Sequence, residues 1–286
     1  MPNQEPSCQD AILPHILIRP NRSASLIEGI SELWQYRELL GFLAWRDVKL
    51  RYRQTFLGVA WAILQPLAAM LVFTVFFHRL AGISAGGRAP YPLWSYAGLL
   101  AWNLFAQSLQ RCSESVAAND RLVSKVYFPR LVIPCAAALS AVIDFLVSLL
   151  VYGGLMVYYG AVPGLQVLML PAFLALAMLS SLGVGLWLSS LNVRYRDVRY
   201  VIPFLVQLWM FVTPVVYPAS LMPEGLRVVY GLNPMVGVVE GFRWCLLGEA
   251  SGLWAMVLTS ILVSLALLML GAWRFRSAER GFADYI

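Results

Sequence analysis

The chain has 286 residues, of which 60% are apolar and only 13% charged, against roughly 45–50% and about 25% in soluble domains. Mean hydropathy is +0.70, and the apolar residues arrive in blocks near the ~20-residue length that crosses a bilayer. A soluble enzyme, a disordered tail and a disulfide scaffold are excluded together, and the formal charge of +6 does not describe a nucleic-acid binder, because the basic residues lie between apolar blocks.

Residues 1–55 read as a cytoplasmic N-terminal segment, too long, polar and charged for a signal peptide. Within it, LWQYRELLGFLAWRDVKLRY (33–52) places Leu33, Tyr36, Leu40 and Leu43 at helical steps and mixes Trp34 and Trp45 with Arg and Lys. That is the character of a helix lying in the membrane interface; an ordinary soluble amphipathic helix is the alternative. Six apolar segments follow, at 57–77, 93–109, 131–159, 165–191, 200–216 and 253–273. The third and fourth exceed the length a span needs, which allows tilt or an amphipathic run-in. With the N-terminus inside, seventeen of the 21 basic residues fall in inside segments and only Arg79, Arg88, Arg227 and Arg243 outside. Both termini are therefore expected in the cytoplasm. The expected architecture is an all-α membrane protein with six transmembrane helices over residues 56–273, followed by a cytoplasmic tail, 274–286.

One stretch does not fit a serpentine of spans. PASLMPEGLRVVYGLNPMVGVVEGFRWCLLGEASG (218–252) has two apolar runs, each too short to span, broken at Asn233-Pro234 and carrying Glu240 and Arg243. Short apolar runs suit a re-entrant hairpin, whose non-helical turn must be buried in protein or face water. An extracellular amphipathic cap is the alternative.

Polar residues within the spans form stripes. Trp61, Gln65 and Phe73 share a face of the first span with Gly58, Ala69 and Phe76; Tyr96, Asn103, Gln107 and Gln110 share one of the second. In the fifth, Tyr200, Phe204, Gln207, Phe211 and Pro214 repeat at steps of four and three. An amide facing lipid leaves its donors unsatisfied, at a cost of roughly 1–3 kcal/mol, so these faces are expected to look inward. Hydrogen bonding between helices would satisfy any single amide. Three stripes mixing amides with rings read instead as a pathway lining, suited to the C–H faces and hydroxyls of a sugar chain. Asp144 is the one acid centred in a span, with Ser140 and Ser148 a turn to either side. It lacks a titratable partner in the other spans and reads as a protonated or hydrogen-bonded structural residue rather than a proton relay. Ser181, Gly185 and Ser189 form a small-residue stripe for close helix packing, within the chain or between copies.

Catalytic signatures are missing. There is no GxxxxGK[ST], GxGxxG, HExxH or GxSxG pattern. Cys8, Cys112, Cys135 and Cys245, like His15 and His78, are too scattered for a zinc site or disulfide framework. If the chain moves cargo with ATP, another chain must bind the nucleotide.

Four segments carry a resemblance: RDVKLRYRQTFLGVAWAILQPL (46–67), NDRLVSKVYFPRLVIP (119–134), LNVRYRDVRYVIPFLVQLWMFVTPVVYP (191–218) and GLNPMVGVVEGFRWCLLG (231–248). They resemble the permease subunit of type-2 ATP-binding-cassette exporters, most closely its polysaccharide branch, which exports lipopolysaccharide O-antigen and wall teichoic acid. The resemblance implies a homodimer of six-span permeases in the bacterial inner membrane, bound to two ATPase subunits that carry the ATP and Mg. This chain itself would hold no cofactor and no metal. The implied cargo is an undecaprenyl-diphosphate-linked glycan, with membrane lipids as further partners. An interfacial N-terminal helix, a coupling helix after the second span and a re-entrant hairpin before the sixth are implied as well.

The coupling contact is expected in residues 113–130, which join two spans, so that a push there moves both. ESVAANDRLVSKVYFPR reads as a short helix with Val116, Leu122, Val123 and Val126 on an apolar face, ended before Pro129. Asn119, Arg121, Leu122 and Lys125 are the expected ATPase-facing residues, with Arg46 and Arg51 of the interfacial helix beside them. A drug or small-lipid exporter of the same superfamily remains an alternative. An ion-coupled secondary transporter would want several buried charges and inverted repeats, and a membrane glycosyltransferase would want clustered acids or His.

Overall fold

The computed structural model describes residues 26–53, 58–84, 89–125, 128–219, 230–248, 253–279 and 281–282. Among these residues every long regular element is a helix and no strand occurs. Two short helices come first among the described residues, α1 (Leu26–Gln35) and α2 (Arg37–Arg53), separated at Tyr36. The predicted interfacial helix is thus two pieces. Helix α3 (Gly58–Phe73) contains Pro66 and passes into a π-helical end at Thr74–Leu80. Proline has no N–H, so the carbonyl of Ala62 has no helical donor four residues on, and the helix is weakened there.

Helix α4 (Tyr91–Ala118) is the hub. Every residue from Leu93 to Trp102 is buried, and α4 packs against α3, α6, α7, α8, α9 and α10, whose bounds follow. A six-residue α5 (Asp120–Lys125) comes next, then α6 (Val132–Leu139) and α7 (Ala141–Tyr159), which form one apolar rod with a step at Ser140. A 3-10 turn at Leu165–Met169 leads into α8 (Leu170–Arg194). Helix α9 (Val198–Val212) is followed by α10 (Pro234–Leu247) and α11 (Leu253–Glu279).

Among the described residues, four helical stretches are long and apolar enough to cross a membrane: Ala60–Leu80, Val132–Tyr159, Leu165–Arg194 and Trp254–Glu279. They coincide with the first, third, fourth and sixth predicted spans. The second predicted span lies in α4, which has the length, ~42 Å at 1.5 Å per residue. It falls short in hydropathy because it faces other helices rather than lipid. The fifth lies in α9, whose 15 residues reach only ~22 Å, short of the ~30 Å hydrocarbon layer. In the irregular 218–252 segment, residues 220–229 lie outside the described ones. Its second apolar run is α10, too short to span, started by Asn233 accepting from the Met235 N–H at 3.0 Å and ended by Gly248 at φ 74°.

The small-residue stripe packs inside the chain. Ser181 donates to the Ser108 hydroxyl of α4 at 2.9 Å, and Gly185 lies against Cys112 of the same helix. Helices α8 and α11 meet where Gly183 and Gly271 touch backbone to backbone, beside a Ser180–Ser264 hydroxyl pair at 2.7 Å. A side chain there would wedge the crossing apart, whereas Gly153 of α7 faces open space. Gly271→Leu should therefore cost about 2 kcal/mol, as overpacking does, and lower the unfolding temperature in detergent. Gly153→Leu should leave it unchanged or raise it, since the substitution also improves helix propensity.

Candidate functional site: a polar cleft and its approach

Four helices converge on one open cleft. Trp61, Ala62, Gln65 and Pro66 come from α3, Asn103 and Gln107 from α4, Asp144 and Ser148 from α7, and Arg51 with Tyr52 from the end of α2. The spacing explains the convergence: positions 61 and 65, 103 and 107, and 144 and 148 are each one turn apart, so each pair sits on one face. Pro66 thus sits in the wall itself, one turn after Ala62.

Charge at the cleft is organised around Asp144. Its Oδ1 accepts from the Tyr52 hydroxyl, and its Oδ2 accepts from Arg51 at 3.0 Å and from Arg111. Arg111 also donates to the Ser140 hydroxyl and to the Gln107 amide oxygen, both at 2.9 Å. The Asp144 side chain is 8% exposed, that of Arg111 18% and that of Arg51 52%. Burial and the neighbouring carboxylate push the Tyr52 phenol well above its usual range, so it stays a neutral donor. Asp144, expected to lack a titratable partner in the other spans, takes its charged partners from just beyond them, Arg51 before the first and Arg111 after the second. It is the shared acceptor of an ion-pair network, because α4 runs past the expected end of the second span and brings Arg111 alongside.

Beyond the cleft, Arg46 of α2 donates to the Asn119 side chain at 2.9 Å and to Asp47 at 2.8 Å. Asn119 is the break between α4 and α5: its amide donates to the Ser115 carbonyl at 2.8 Å, and its own carbonyl accepts from Leu122 and Val123. The expected short helix of residues 113–130 is corrected accordingly. Glu114 to Ala118 continue α4, and only Asp120–Lys125 form a separate helix. Val116 and Val123, expected on a docking face, are instead buried in a cluster with Leu43, Ala44 and Phe128. Arg121 is exposed and Leu122 partly exposed. The side chain of Lys125, like Val126, lies outside the described residues.

The predicted pathway residues divide into three groups. Trp61, Gln65, Asn103 and Gln107 share the cleft. Phe204, Gln207 and Phe211 form a strip on α9 that is exposed on the single chain, while Ile202 and Val206 of that helix face the core. The expectation that this stripe looks inward is therefore corrected for one chain: its amide and rings point away from their own bundle. Tyr96 is fully buried, stacked on Tyr152 with centroids 5.8 Å apart, so it lines no open surface. Phe73 is half-buried against Phe77 and the core.

The opposite end has a cluster that sequence reasoning did not assign. Arg243 of α10 is fully buried, 3.4 Å from the Trp94 ring centroid, and donates to Glu240 and to the Val215 carbonyl, both at 2.8 Å. It ties α10 to α4 and to the chain leaving α9. Trp209 and Thr213 reach Asn233 at 3.1 and 3.0 Å and close the same joint. A buried Arg among short apolar runs was the available signal.

Comparison with known proteins decides the family. Residues 38–247 match the model described as ABC-2 type transporter. The chain belongs to the ABC-2 type transporter family. The O-antigen export system permease protein RfbA of Myxococcus xanthus is 31% identical over 267 residues, which is 91% of this chain and all of that protein. The protein of the same name from Klebsiella pneumoniae is 26% identical over 207 residues, 72% of this chain and 79% of its own. The capsule polysaccharide export inner-membrane protein CtrC of Neisseria meningitidis is 25% identical over 244 residues, 82% of this chain and 89% of its own. Like the relatives named permease proteins, this ABC-2 chain is the membrane permease of a transporter and not its ATPase.

The network has a measurable signature. Arg111→Gln removes one of the two cationic partners of a buried carboxylate and should cost about 2 kcal/mol, as loss of a hydrogen bond to a charged group does, whereas adding Asp144→Asn should restore part of that loss. A double-mutant cycle on unfolding is expected to give coupling above about 1 kcal/mol.

Proposed function

We propose that the chain is the transmembrane subunit of an ATP-driven exporter that moves a lipid-linked polysaccharide, O-antigen in the first place, across a bacterial inner membrane. The observation that carries this reading is the cleft, where Trp61 supplies a ring and Gln65, Asn103 and Gln107 supply amides in one continuous wall. A sugar chain presents alternating C–H faces and hydroxyls, which such a wall meets by stacking and hydrogen bonding without demanding one fixed pose. The O-antigen relative from Myxococcus, with the higher identity over its full length, favours that cargo over a capsule glycan.

In this reading six spans cross the membrane, α4 and α9 included, with the Arg-rich ends and both termini in the cytoplasm. Residues 1–55 form the interfacial segment, 56–273 the membrane domain and 274–286 a tail. A second copy faces the α9 strip and encloses Phe204, Gln207 and Phe211 as the far side of the pathway. Two ATPase subunits press on α5 through Arg121, Leu122 and Lys125. Because Asn119 joins α5 to α4 and holds Arg46, the same push reaches α2, whose last turn carries Arg51 and Tyr52 onto the cleft.

Three measurements test the proposal. ATP turnover and glycan export are expected only when the chain is purified with its ATPase; transport on an ion gradient alone would overturn it. A cysteine at Arg121 or Leu122 should crosslink to the ATPase, and Arg121→Glu with Leu122→Asp should reduce ATP-driven export at least about tenfold, the equivalent of ~1.4 kcal/mol. Gln207→Leu with Phe211→Leu should lower surface glycan at unchanged permease level. Normal export by that pair would mean that the strip only packs.

A further inference from the structure

We infer that Arg130 and Phe282 are positioning residues for coupling: they clamp the seat of α5 to the end of α11, so that force on α5 is carried into the last helix as well as into α4. The inference rests on the part of the export reading in which ATPase subunits press on α5. Arg121 is on the exposed side of that helix, whereas Val123 is buried. Val123 belongs to one apolar cluster with Leu43 of α2, Val116 of α4, Phe128, Phe275 of α11 and Phe282. Phe282 lies beyond Glu279, the last residue of α11, yet it is only 2% exposed. Its ring meets that of Phe275 edge to face, with centroids 5.3 Å apart, so the chain folds back over the end of its own helix.

Arg130 supplies the tie. It stands in the turn between α5 and α6, and its guanidinium donates to the Glu279 carbonyl at the end of α11. Helical donors run out in a last turn, so the arginine caps the helix and meets the negative end of its dipole. The same guanidinium lies 5.9 Å from the Phe282 ring centroid, and the Arg130 N–H donates to the Glu279 carboxylate at 3.4 Å. Glu32 of α1 accepts from Arg276 at 3.4 Å beside it. Location makes these contacts more than a fastening. Force on the exposed side of α5 presses Val123 into the cluster, and a close-packed interior yields little, so the load passes to the elements that share it. Helix α11 is one of them through Phe275, and it is fixed in turn to α8 at the glycine crossing. Without the Phe282 ring and the Arg130 cap, a displacement of α5 would be absorbed by repacking at this end.

The test uses the permease–ATPase complex in proteoliposomes and measures glycan exported per ATP hydrolysed. Phe282→Ala should lower that ratio at least about threefold, while ATP turnover and the crosslink from a cysteine at Leu122 to the ATPase stay as in wild type. Phe282→Leu keeps apolar bulk in the cluster and should bring the ratio back to within about twofold of wild type. Arg130→Gln should lower the ratio as well, and combining it with Phe282→Ala should add little, because the two residues act as one clamp. Amide hydrogen exchange gives a readout that needs no cargo. Trapping the complex with ATP and vanadate should change exchange at the end of α11 as well as in α2, and Phe282→Ala should abolish the first response and leave the second. A wild-type ratio in the Phe282 and Arg130 variants overturns the inference and leaves the export reading standing, as does a wild-type complex that responds in α2 but not in α11. Loss of ATP turnover, crosslink and export together in Phe282→Ala, with Phe282→Leu no better, marks the clamp as structural only and overturns it too. No response in either helix defeats the clamp together with the push on α5. A wild-type complex that shows both responses but moves no glycan defeats the export reading and keeps the clamp.

Discussion

A carboxylate carried to membrane depth must find charge or hydrogen-bond donors, because no water is there to solvate it. Asp144 meets that demand from three directions, with Tyr52 and Arg51 arriving from the segment before the first span and Arg111 from the hub helix. Much of the surrounding geometry follows. The end of α2 has to lie against α7, α4 has to extend past the apolar zone, and Gln107 and Ser140 are drawn in to satisfy the remaining guanidinium donors. The polar cleft forms where those helices cannot close on one another without stranding these groups.

Apolar blocks are local signals, so the helices were legible from sequence, and four of the described stretches are long and apolar enough to cross a membrane. Each of the six predicted segments is helical, the second running on to Ala118 and the third stepping at Ser140. The stripes were legible for the same reason: Trp61 with Gln65 and Asn103 with Gln107 share faces by spacing alone, and the fold brings both pairs into one wall. What could not be read was which stripe meets which. Arg51 and Asp144 are 93 positions apart, and no local pattern pairs them. Tyr96 shares a face with Asn103 yet is buried, since its position along α4 falls where α7 packs tightly. The α9 strip looked internal because an amide in a span needs a partner, but among the described residues Phe204, Gln207 and Phe211 face away from the bundle.

The break at Asn119 illustrates a subtler limit. Val116 and Val123 read as a docking face because apolar residues flanked by charges suggest a partner, but the chain covers them itself with Leu43, Ala44 and Phe128. Hydrophobic pattern identifies a face that must be covered; it does not identify what covers it.

The glycine crossing of α8 and α11 divides the molecule mechanically. Backbones in direct contact, reinforced by the Ser180–Ser264 pair, leave no slack for sliding, and α4 is wedged into the same block by Ser108–Ser181. Helices α3 and α9, by contrast, expose much of their surface, and each contains an internal proline, Pro66 or Pro203, where the backbone ladder is already missing a rung. The chain is thus built as a stator with two compliant arms. Relative motion is left to bending of the arms at their prolines, and because Pro66 itself lines the cleft, bending of α3 there changes the cleft's width.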